Sequence, residues 1–193
     1  MNKNVLLLKE ILFRKGKKAD KKALNKDFAP NFAEDHINLP PTNMFIPGTY
    51  LCTPEYVLAH SGQRVNTMMR EGYPNEDTDR IFDMLANNTT DRDLVLYRGI
   101  DEDALASMEK AAEGMDADLY DEGFVACSLV KGYEVPRKVR LRILVPAGTH
   151  CKYLADVNYE LETYYEVCLQ SGSRFKYVSM DKNYITVRLL GTK

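Results

Sequence analysis

Long hydrophobic runs are missing from this sequence of 193 residues. No apolar stretch approaches the roughly 18 residues of a membrane-spanning helix, so no membrane-spanning segment is expected. The N-terminal stretch VLLLKEILF is interrupted by Lys9 and Glu10 and lacks a small-residue cleavage site. We interpret it as an amphipathic helix and not as a signal peptide. The protein is therefore expected to be cytoplasmic, or to be delivered into a target cell without a classical signal peptide.

A strong charge excess and a set of metal ligands are also missing. The net charge of −2 argues against a large surface that coats nucleic acid. The three histidines are scattered and the four cysteines form no CxxC pair, so no structural metal site is expected. Because we expect a reducing compartment, we predict that the cysteines are free thiols. The sequence contains no GxGxxG or P-loop pattern and no convincing internal repeat.

The composition that remains is that of an ordinary soluble globular protein, with 45% hydrophobic and 28% charged residues. The length fits one domain, or a core with an N-terminal extension. Residues 14–26 contain seven basic residues and one acidic residue. Such a run is usually a solvated helix face or a flexible arm, and the alternative is contact with an anionic partner. The Pro-rich stretch 38–48 is predicted to connect two parts of the chain.

The first half of the chain has helical spacing of its apolar residues. The stretch QRVNTMMREG predicts a helix that ends at Gly72. The stretch NEDTDRIFDMLANN predicts a second helix with Asp77 as its cap, and DEDALASMEKAAEG predicts a third. The predicted buried positions of the first two helices are Val65, Met68, Met69, Ile81, Met84 and Leu85.

The second half changes to an alternating pattern, which is typical of half-buried strands. In KVRLRILV, the positions predicted to face inward are Val139, Leu141, Ile143 and Val145. The positions predicted to face outward are Lys138, Arg140, Arg142 and Leu144. YITVRLL repeats the pattern near the C-terminus. Helices followed by strands predict an α+β fold.

Three stretches carry residues that suit chemistry. LVLYRGI, at 94–100, is an apolar strand that ends in Arg98 and Gly99, a pair suited to binding phosphate. DEGFVACSL, at 121–129, leads into a strand of small residues that leave room beside a ligand. YYEVCLQSGSRFKYV, at 164–178, places Glu166 at the start of an apolar run. Taken singly, each stretch is more often an ordinary strand with a solvated end.

In order and spacing, these stretches resemble the arginine–serine–glutamate class of mono-ADP-ribosyltransferases, which includes the C3-like and binary bacterial exoenzymes. In that family, one strand ends in Arg-Gly, a GF-x-STS strand follows, and a loop with Gln/Glu-x-Glu leads into a hairpin. LRILVPAGTHCKYL is similar to the family's intervening hairpin, and SGQRVNTMMREG is similar to its iN-xx-LR helix. The resemblance covers roughly residues 56–190.

The resemblance implies an ADP-ribosyltransferase-like α+β fold, with N-terminal helices packed on two facing, mostly antiparallel β-sheets that form an NAD cleft. It implies a single domain over 1–193, in which an extension with the basic arm (1–50) precedes a catalytic core (51–193). The implied activity is cleavage of NAD, release of nicotinamide and transfer of ADP-ribose to a macromolecular acceptor, a protein or a nucleic acid. NAD is the implied substrate, no metal is implied, and a monomer is expected.

The resemblance also implies which residues bind NAD. Arg98 holds NAD near the nicotinamide ribose and phosphate, and Gly99 lies beside the nicotinamide amide. Asn66 and Arg70 share one helix face and reach the adenosine side with its phosphates. Tyr133 lies in the family's phosphate–nicotinamide loop, where an aromatic ring covers the nicotinamide.

Catalysis is implied to rest on Glu166. Breaking the nicotinamide–ribose bond builds positive charge on the ribose, as in glycoside hydrolysis. A carboxylate that accepts a hydrogen bond from the ribose 2′-hydroxyl stabilises that charge more in the transition state than before it. The implied catalytic set is Glu166, Arg98, Ser128 and Tyr164.

Two positions depart from the family pattern. Tyr164 stands where the family has Gln or Glu, and tyrosine is no carboxylate base at neutral pH, so transfer to arginine is not expected. Ala126 replaces the first serine of the serine motif, which normally supports the glutamate. Glu160 and Glu162 lie nearby in sequence and are candidates to compensate, although such residues are more often solvent-exposed.

Three alternatives stay open at this point. With water as the acceptor, the protein is an NAD glycohydrolase. A catalytically silent ADP-ribosyltransferase fold is a binding module. Without the resemblance, the chain is a structural α+β module whose basic N-terminal arm docks on an anionic surface.

Overall fold

The computed structural model describes residues 19, 24–37, 43–154, 157 and 164–193. The predicted N-terminal amphipathic helix, most of the basic segment 14–26, Glu160 and Glu162 lie outside these described residues. Within the described ranges, no helix combines the length and the hydrophobicity that a membrane crossing requires. All four cysteines are free thiols, as predicted.

In the part of the chain that the structure describes from residue 24 onward, four helices precede or interrupt the strands. They are α1 (Ala29–His36), α2 (Pro54–Arg70), α3 (Glu76–Ala86) and α4 (Glu102–Ala111). Helix α2 starts at a favourable N-terminus, because the Thr53 side chain accepts a hydrogen bond from the Tyr56 N–H and Pro54 fills the first helical position. The chain turns after this helix at Gly72, which has a positive φ of 77°.

The start of α3 corrects one prediction. The N-cap is Asn75 and not Asp77. The Asn75 side chain accepts from the Thr78 N–H, and the Thr78 hydroxyl accepts from the Asn75 N–H, at 3.1 and 2.7 Å. This reciprocal pair satisfies two free backbone donors, whereas a single carboxylate in the first turn does not. Asp77 instead lies within the acidic first turn of the helix.

The described residues contribute eight strands to one sheet. They are β1 (Leu94–Ile100), β2 (Leu119–Asp121), β3 (Val125–Ser128), β4 (Val139–Val145), β5 (Cys151–Tyr153), β6 (Glu166–Leu169), β7 (Ser173–Met180) and β8 (Ile185–Gly191). Their order across the sheet is β2-β7-β8-β4-β1-β3-β6-β5. Among the pairs of these eight strands, only β4 and β8 run parallel.

The α+β prediction is confirmed by this arrangement. The two predicted sheets meet at β1 and β3, where a single register pair, Tyr97 with Ser128, joins them into one ladder. Each half keeps its own antiparallel pairs: β4 on β1 on one side, and β6 on β3 on the other. The junction of the halves therefore lies at β1, which carries Arg98, and β3, which carries Ser128.

Two clusters of buried side chains hold these layers together. The larger cluster lies on the sheet and includes Leu96, Leu141 and Val167, all fully buried. The smaller cluster joins α2 and α3 to the sheet. Its members are Leu58, Val65, Ile81, Leu85, Phe124, Leu154 and Cys168, with Met69 and Met84 packed against it. The predicted buried faces are thus confirmed except at Met68, which is only partly buried and lies outside this cluster. These contacts fix α2 beside β3.

Arg142 departs from the predicted alternation. The pattern of β4 predicts that it faces outward, yet it is 1% exposed. Its Nη1 donates to Asp181 Oδ2 at 2.9 Å and to Thr186 Oγ1 at 2.8 Å. A buried guanidinium is tolerated only with such partners. Both partners come from the C-terminal part of the chain, so the strand's own sequence gave no sign of them.

Candidate active site

The register of three neighbouring strands brings the three singled-out stretches together. Tyr97 of β1 pairs with Ser128 of β3, and Ser128 pairs with Glu166 of β6. Arg98 follows Tyr97 directly, so the arginine, serine and glutamate positions meet at one place on the sheet. Residues 68 positions apart in sequence are neighbours here only because β3 lies between β1 and β6.

A small cavity of about 40 Å³ lies at this junction. Five of the residues with predicted roles line it: Arg98, Gly99, Ser128, Tyr164 and Glu166. Ala126, Cys127, Glu134 and Val135 are also among its lining residues. The predicted glutamate and arginine therefore line a common space, which has room for a few water molecules.

Glu166 has a perturbed carboxyl group. It is half-buried at the first position of β6. Burial raises the pKa of its carboxyl from 4.5 to about 7, and the Arg98 guanidinium partly opposes this rise. Tyr165, the residue before it, has a positive φ of 49°, which is uncommon for a residue that is not glycine. A strained residue next to a titratable carboxyl in a cavity is a frequent mark of a functional site.

Arg98 lies between two cavities. Besides the small one, it lines a larger cavity of about 380 Å³, together with Arg70, Met108 and Tyr120. Its Nη1 donates to the Ala126 carbonyl at 3.3 Å. Its side chain is 16% exposed and lines both cavities, so it is placed to contact a ligand in either one.

Arg70 and Asn66, both on α2, have different surroundings. Arg70 lines the larger cavity and binds the carboxylate of Asp121 through Nε and Nη2 at 3.0 and 2.9 Å. The Asn66 amide binds the backbone of Phe124, donating to its carbonyl at 3.0 Å and accepting from its N–H at 2.7 Å. The structure therefore places Arg70 at a cavity, and it uses the Asn66 side chain to attach α2 to the start of β3.

Ser128 and Tyr133 are near the small cavity but have local partners. The Ser128 hydroxyl donates to the Val130 carbonyl at 2.8 Å and accepts from the Val130 N–H at 3.1 Å. This turn closes β3. The Tyr133 ring packs edge-on against the Tyr165 ring at 5.1 Å between centroids. Tyr133 thus contacts the residue that precedes Glu166.

The loop after β3 reaches the small cavity through Glu134 and Val135, which sequence reasoning missed. Glu134 is 6% exposed and accepts hydrogen bonds from the Tyr184 hydroxyl and the Gly132 N–H, at 2.7 and 2.8 Å. The Val135 carbonyl lies so close to Gly99 that a Cβ added there would be 1.9 Å from its oxygen. The loop is therefore fastened over the Arg98–Gly99 strand end.

Asp121 was also missed as a candidate, although it lies in the second singled-out stretch. A carboxylate at the end of a short strand gives no sign in sequence of which cation it binds. Its partners, Arg70 and Arg98, come from α2 and β1.

Among the described residues, no group of three His, Cys, Asp or Glu side chains is arranged to hold a metal ion.

A family model adds to this geometry. Residues 56–189, more than half of the chain, match the model of the ADP-ribosyltransferase exoenzymes. The chain belongs to this family. The match includes the Arg-Gly strand end, the serine-motif strand and the Glu166 strand. The predicted family and the predicted class of NAD-dependent ADP-ribosyltransferase are thereby confirmed.

Solved structures of bacterial ADP-ribosyltransferases share the fold of this transferase. The C3 exoenzyme of Clostridium limosum has a TM-score of 0.63 at 17% identity, and the match covers 86% of this chain and 94% of that chain. An ADP-ribosyltransferase from Clostridium botulinum has a TM-score of 0.63 at 14% identity, covering 89% and 98%. A C3 protein from S. aureus, solved with NAD, has a TM-score of 0.59 at 16% identity, covering 93% and 94%. A comparison with curated proteins found no match.

Proposed function

We propose that this protein cleaves the bond between nicotinamide and ribose in NAD and transfers ADP-ribose to a macromolecular acceptor. The observation that carries the proposal is the shared cavity of Glu166 and Arg98, where burial shifts the glutamate pKa and the arginine opposes the shift. A carboxylate and a guanidinium that line one cavity suit a ribose and its neighbouring phosphate.

In the proposed reaction, the C1′–N bond breaks and its electron pair goes to the pyridinium nitrogen, so neutral nicotinamide leaves. The ribose gains positive charge, and the ionised Glu166 stabilises that charge through the 2′-hydroxyl. The nucleophile of the acceptor then forms a bond to C1′ and loses a proton. Glu166 stays unmodified, so its contribution is electrostatic.

The larger cavity supports the assignment of the rest of the substrate. Arg98 lines both cavities, which suits a diphosphate that bridges the nicotinamide ribose and the adenosine. On this proposal, Arg70 binds the adenosine side of the diphosphate, and the apolar wall around Met108 and Ile100 receives the adenosine. Asn66 contributes indirectly, because its amide holds the start of β3.

We propose that the small cavity, of about 40 Å³, widens when the nicotinamide ring binds. The loop that contains Val135 borders this cavity, and the Val135 carbonyl occupies the space beside Gly99. We propose that this loop opens to admit the ring, after which Tyr133 covers it. Glu134 and Tyr184 then fasten the loop again.

The side chain at position 164, a tyrosine, bears on which acceptor the protein can use. It lines the small cavity with Glu166 and lies two residues before it. Tyrosine has no carboxylate to take a proton from an arginine side chain at neutral pH. We therefore propose an acceptor other than arginine, with water as the second candidate, in which case the protein is an NAD glycohydrolase.

One experiment tests the proposal. NAD labelled in its adenylate half is incubated with the purified protein and a cell lysate, and nicotinamide is measured by chromatography. We expect nicotinamide release together with label in the protein or RNA fraction. Label found only as free ADP-ribose identifies the glycohydrolase. Absence of nicotinamide release, with the protein folded by circular dichroism, contradicts the proposal.

The pH dependence gives a further prediction. Only the ionised form of Glu166 stabilises the developing cation, and its pKa is raised to about 7. For nicotinamide release, kcat/KM is therefore expected to be half-maximal near pH 7 and to fall about tenfold per pH unit well below it. The measurement is kcat/KM from pH 5.5 to 9, with circular dichroism to exclude unfolding. A flat profile over this range contradicts the assignment of Glu166.

A further inference from the structure

Asp121 is a buried carboxylate that two arginines share. Its side chain is 2% exposed, whereas those of Arg98 and Arg70 are 16% and 44% exposed. Arg70 donates to Oδ1 from Nε and Nη2 at 3.0 and 2.9 Å, and its Nη2 also donates to Oδ2 at 3.0 Å. Arg98 Nη2 lies 3.5 Å from Oδ2. One carboxylate therefore contacts guanidinium groups from α2 and β1.

A strand and a turn fix the position of this carboxylate. Asp121 is the last residue of β2 and pairs with Ser173 of β7. The Gly123 N–H donates to its Oδ1 at 3.0 Å. A Cβ added to Gly123 would lie 3.1 Å from Arg70 Nη2, so the turn and Arg70 are in close contact. The sheet thus sets the place of Asp121, and both arginines take their orientation from it.

We propose that Asp121 is a positioning residue for the NAD diphosphate, because it holds the Arg70 and Arg98 guanidiniums so that both line the larger cavity. This inference rests on the function proposed above. Asp121 also lines the larger cavity, but its buried carboxylate oxygens bind the two arginines and the Gly123 N–H, so on this proposal it acts through the arginines. A bidentate contact also fixes the plane of a guanidinium, which a point charge cannot do.

Charge and orientation predict opposite effects when the carboxylate is removed. If Asp121 only lowered the positive potential of the cavity, its loss would strengthen the binding of an anion. If it orients the arginines, its loss weakens binding, because two freed side chains must be ordered by the ligand itself. Because the Arg70 side chain is half-exposed, it can turn into solvent when Asp121 no longer holds it. The Arg98 side chain keeps the weaker contact with the Ala126 carbonyl.

The test compares Asp121→Asn with Glu55→Gln. Asparagine keeps the shape and an oxygen for the Gly123 N–H but removes the charge. Glu55 is a matched control, since it is a buried carboxylate that pairs with Lys152 at 3.7 Å and lines neither cavity. The measurements are the Kd for ADP-ribose by titration calorimetry, the KM and kcat for NAD, and the thermal midpoint.

We expect Asp121→Asn to raise the Kd for ADP-ribose and the KM for NAD at least about tenfold and to change kcat less than about threefold, since phosphate contacts are the same before and in the transition state. Glu55→Gln is expected to lower the thermal midpoint only. A Kd at or below that of the wild type overturns the proposal. If both variants lose affinity for ADP-ribose to the same extent, Asp121 has only a structural role and the proposal is overturned.

A second variant is used if Asp121→Asn does not fold. Arg70→Lys keeps the positive charge but loses the two-point contact with Asp121, and it is expected to raise the Kd for ADP-ribose at least about fivefold. An unchanged Kd overturns the proposal. Wild-type protein that binds ADP-ribose without cleaving NAD contradicts the proposed function alone. Wild-type cleavage with an unaffected Asp121→Asn contradicts this inference alone.

Discussion

Replacing Glu166 with glutamine is expected to lower kcat/KM for nicotinamide release by about 10³-fold, which is the loss typical of removing one preorganised electrostatic group from a site. Glutamine has nearly the same shape but carries no negative charge toward the ribose. The rate is measured by chromatography of nicotinamide at pH 8, where the wild-type carboxyl is ionised. Glu55→Gln, which removes a buried carboxylate outside both cavities, is the control and is expected to keep the wild-type rate.

The same substitution is expected to stabilise the fold at high pH. The carboxyl pKa is 4.5 in an ordinary setting and about 7 in the folded protein, so ionisation opposes folding. Below pH 4.5 both states are protonated and the substitution has no effect. As the pH rises from 4.5 to 7, the wild type loses stability relative to the variant. Above pH 7 the difference levels off near about 3 kcal/mol in the free energy of unfolding, at 1.36 kcal/mol per pKa unit.

Urea denaturation at pH 4 and pH 8 checks this gain. A lower free energy of unfolding for Glu166→Gln at pH 8 would mean that the carboxylate is stabilised by its surroundings, contrary to its burial. A wild-type rate of nicotinamide release would remove Glu166 from the site. Loss of activity with a gain in stability is the combination that a destabilised active-site residue predicts.

Gly99→Ala is expected to lower kcat/KM for nicotinamide release by at least about 10²-fold, because misplacement of about 1 Å near a reacting group has effects of this size. An added Cβ would lie 1.9 Å from the Val135 carbonyl oxygen and 3.2 Å from the Arg137 Cβ. The loop over the cavity has to shift, and the new methyl group takes the space proposed for the nicotinamide amide. The rate and the thermal midpoint are both measured.

The matched control is Gly62→Ala. Gly62 lies inside α2, where an added Cβ meets only one Leu58 methyl group at an ordinary 3.8 Å. Alanine is favoured over glycine inside a helix by about 0.5–1 kcal/mol, so this variant is expected to be slightly more stable and fully active. If Gly99→Ala is as active as Gly62→Ala, the Val135 loop does not cover the reacting end of the substrate.

Part of the candidate site was predicted from the sequence. Arg98 and Glu166 were predicted as site residues because the apolar strands that carry them resemble the family's motifs. Their order, with Ser128 between them, carried the resemblance. Asp121 and Glu134 were missed, because a carboxylate has the same local pattern whether it faces solvent or a buried partner. Their partners Arg70 and Tyr184 are 51 and 50 positions away.

The same limit applies to the fold. The stripe of Val65 and Met69 and the alternation in β4 follow from periods of 3.6 and 2 residues, which every segment carries in its own sequence. The Asp77 cap was wrong because two residues competed for one role at neighbouring positions. The outward prediction for Arg142 was wrong because Asp181 and Thr186 cover it from another part of the chain.

The sequence by itself determined the order of the elements, the α+β class, the family and the strand ends that carry Arg98 and Glu166. These features depend on residues close together in the chain or on motifs in a fixed order. The tertiary structure alone decided that the two arginines share Asp121, that Val135 covers Gly99 and that the Glu166 carboxyl has a raised pKa. Each of these depends on distances between distant segments and on the exclusion of water, and a side chain acquires both only when the sheet has formed.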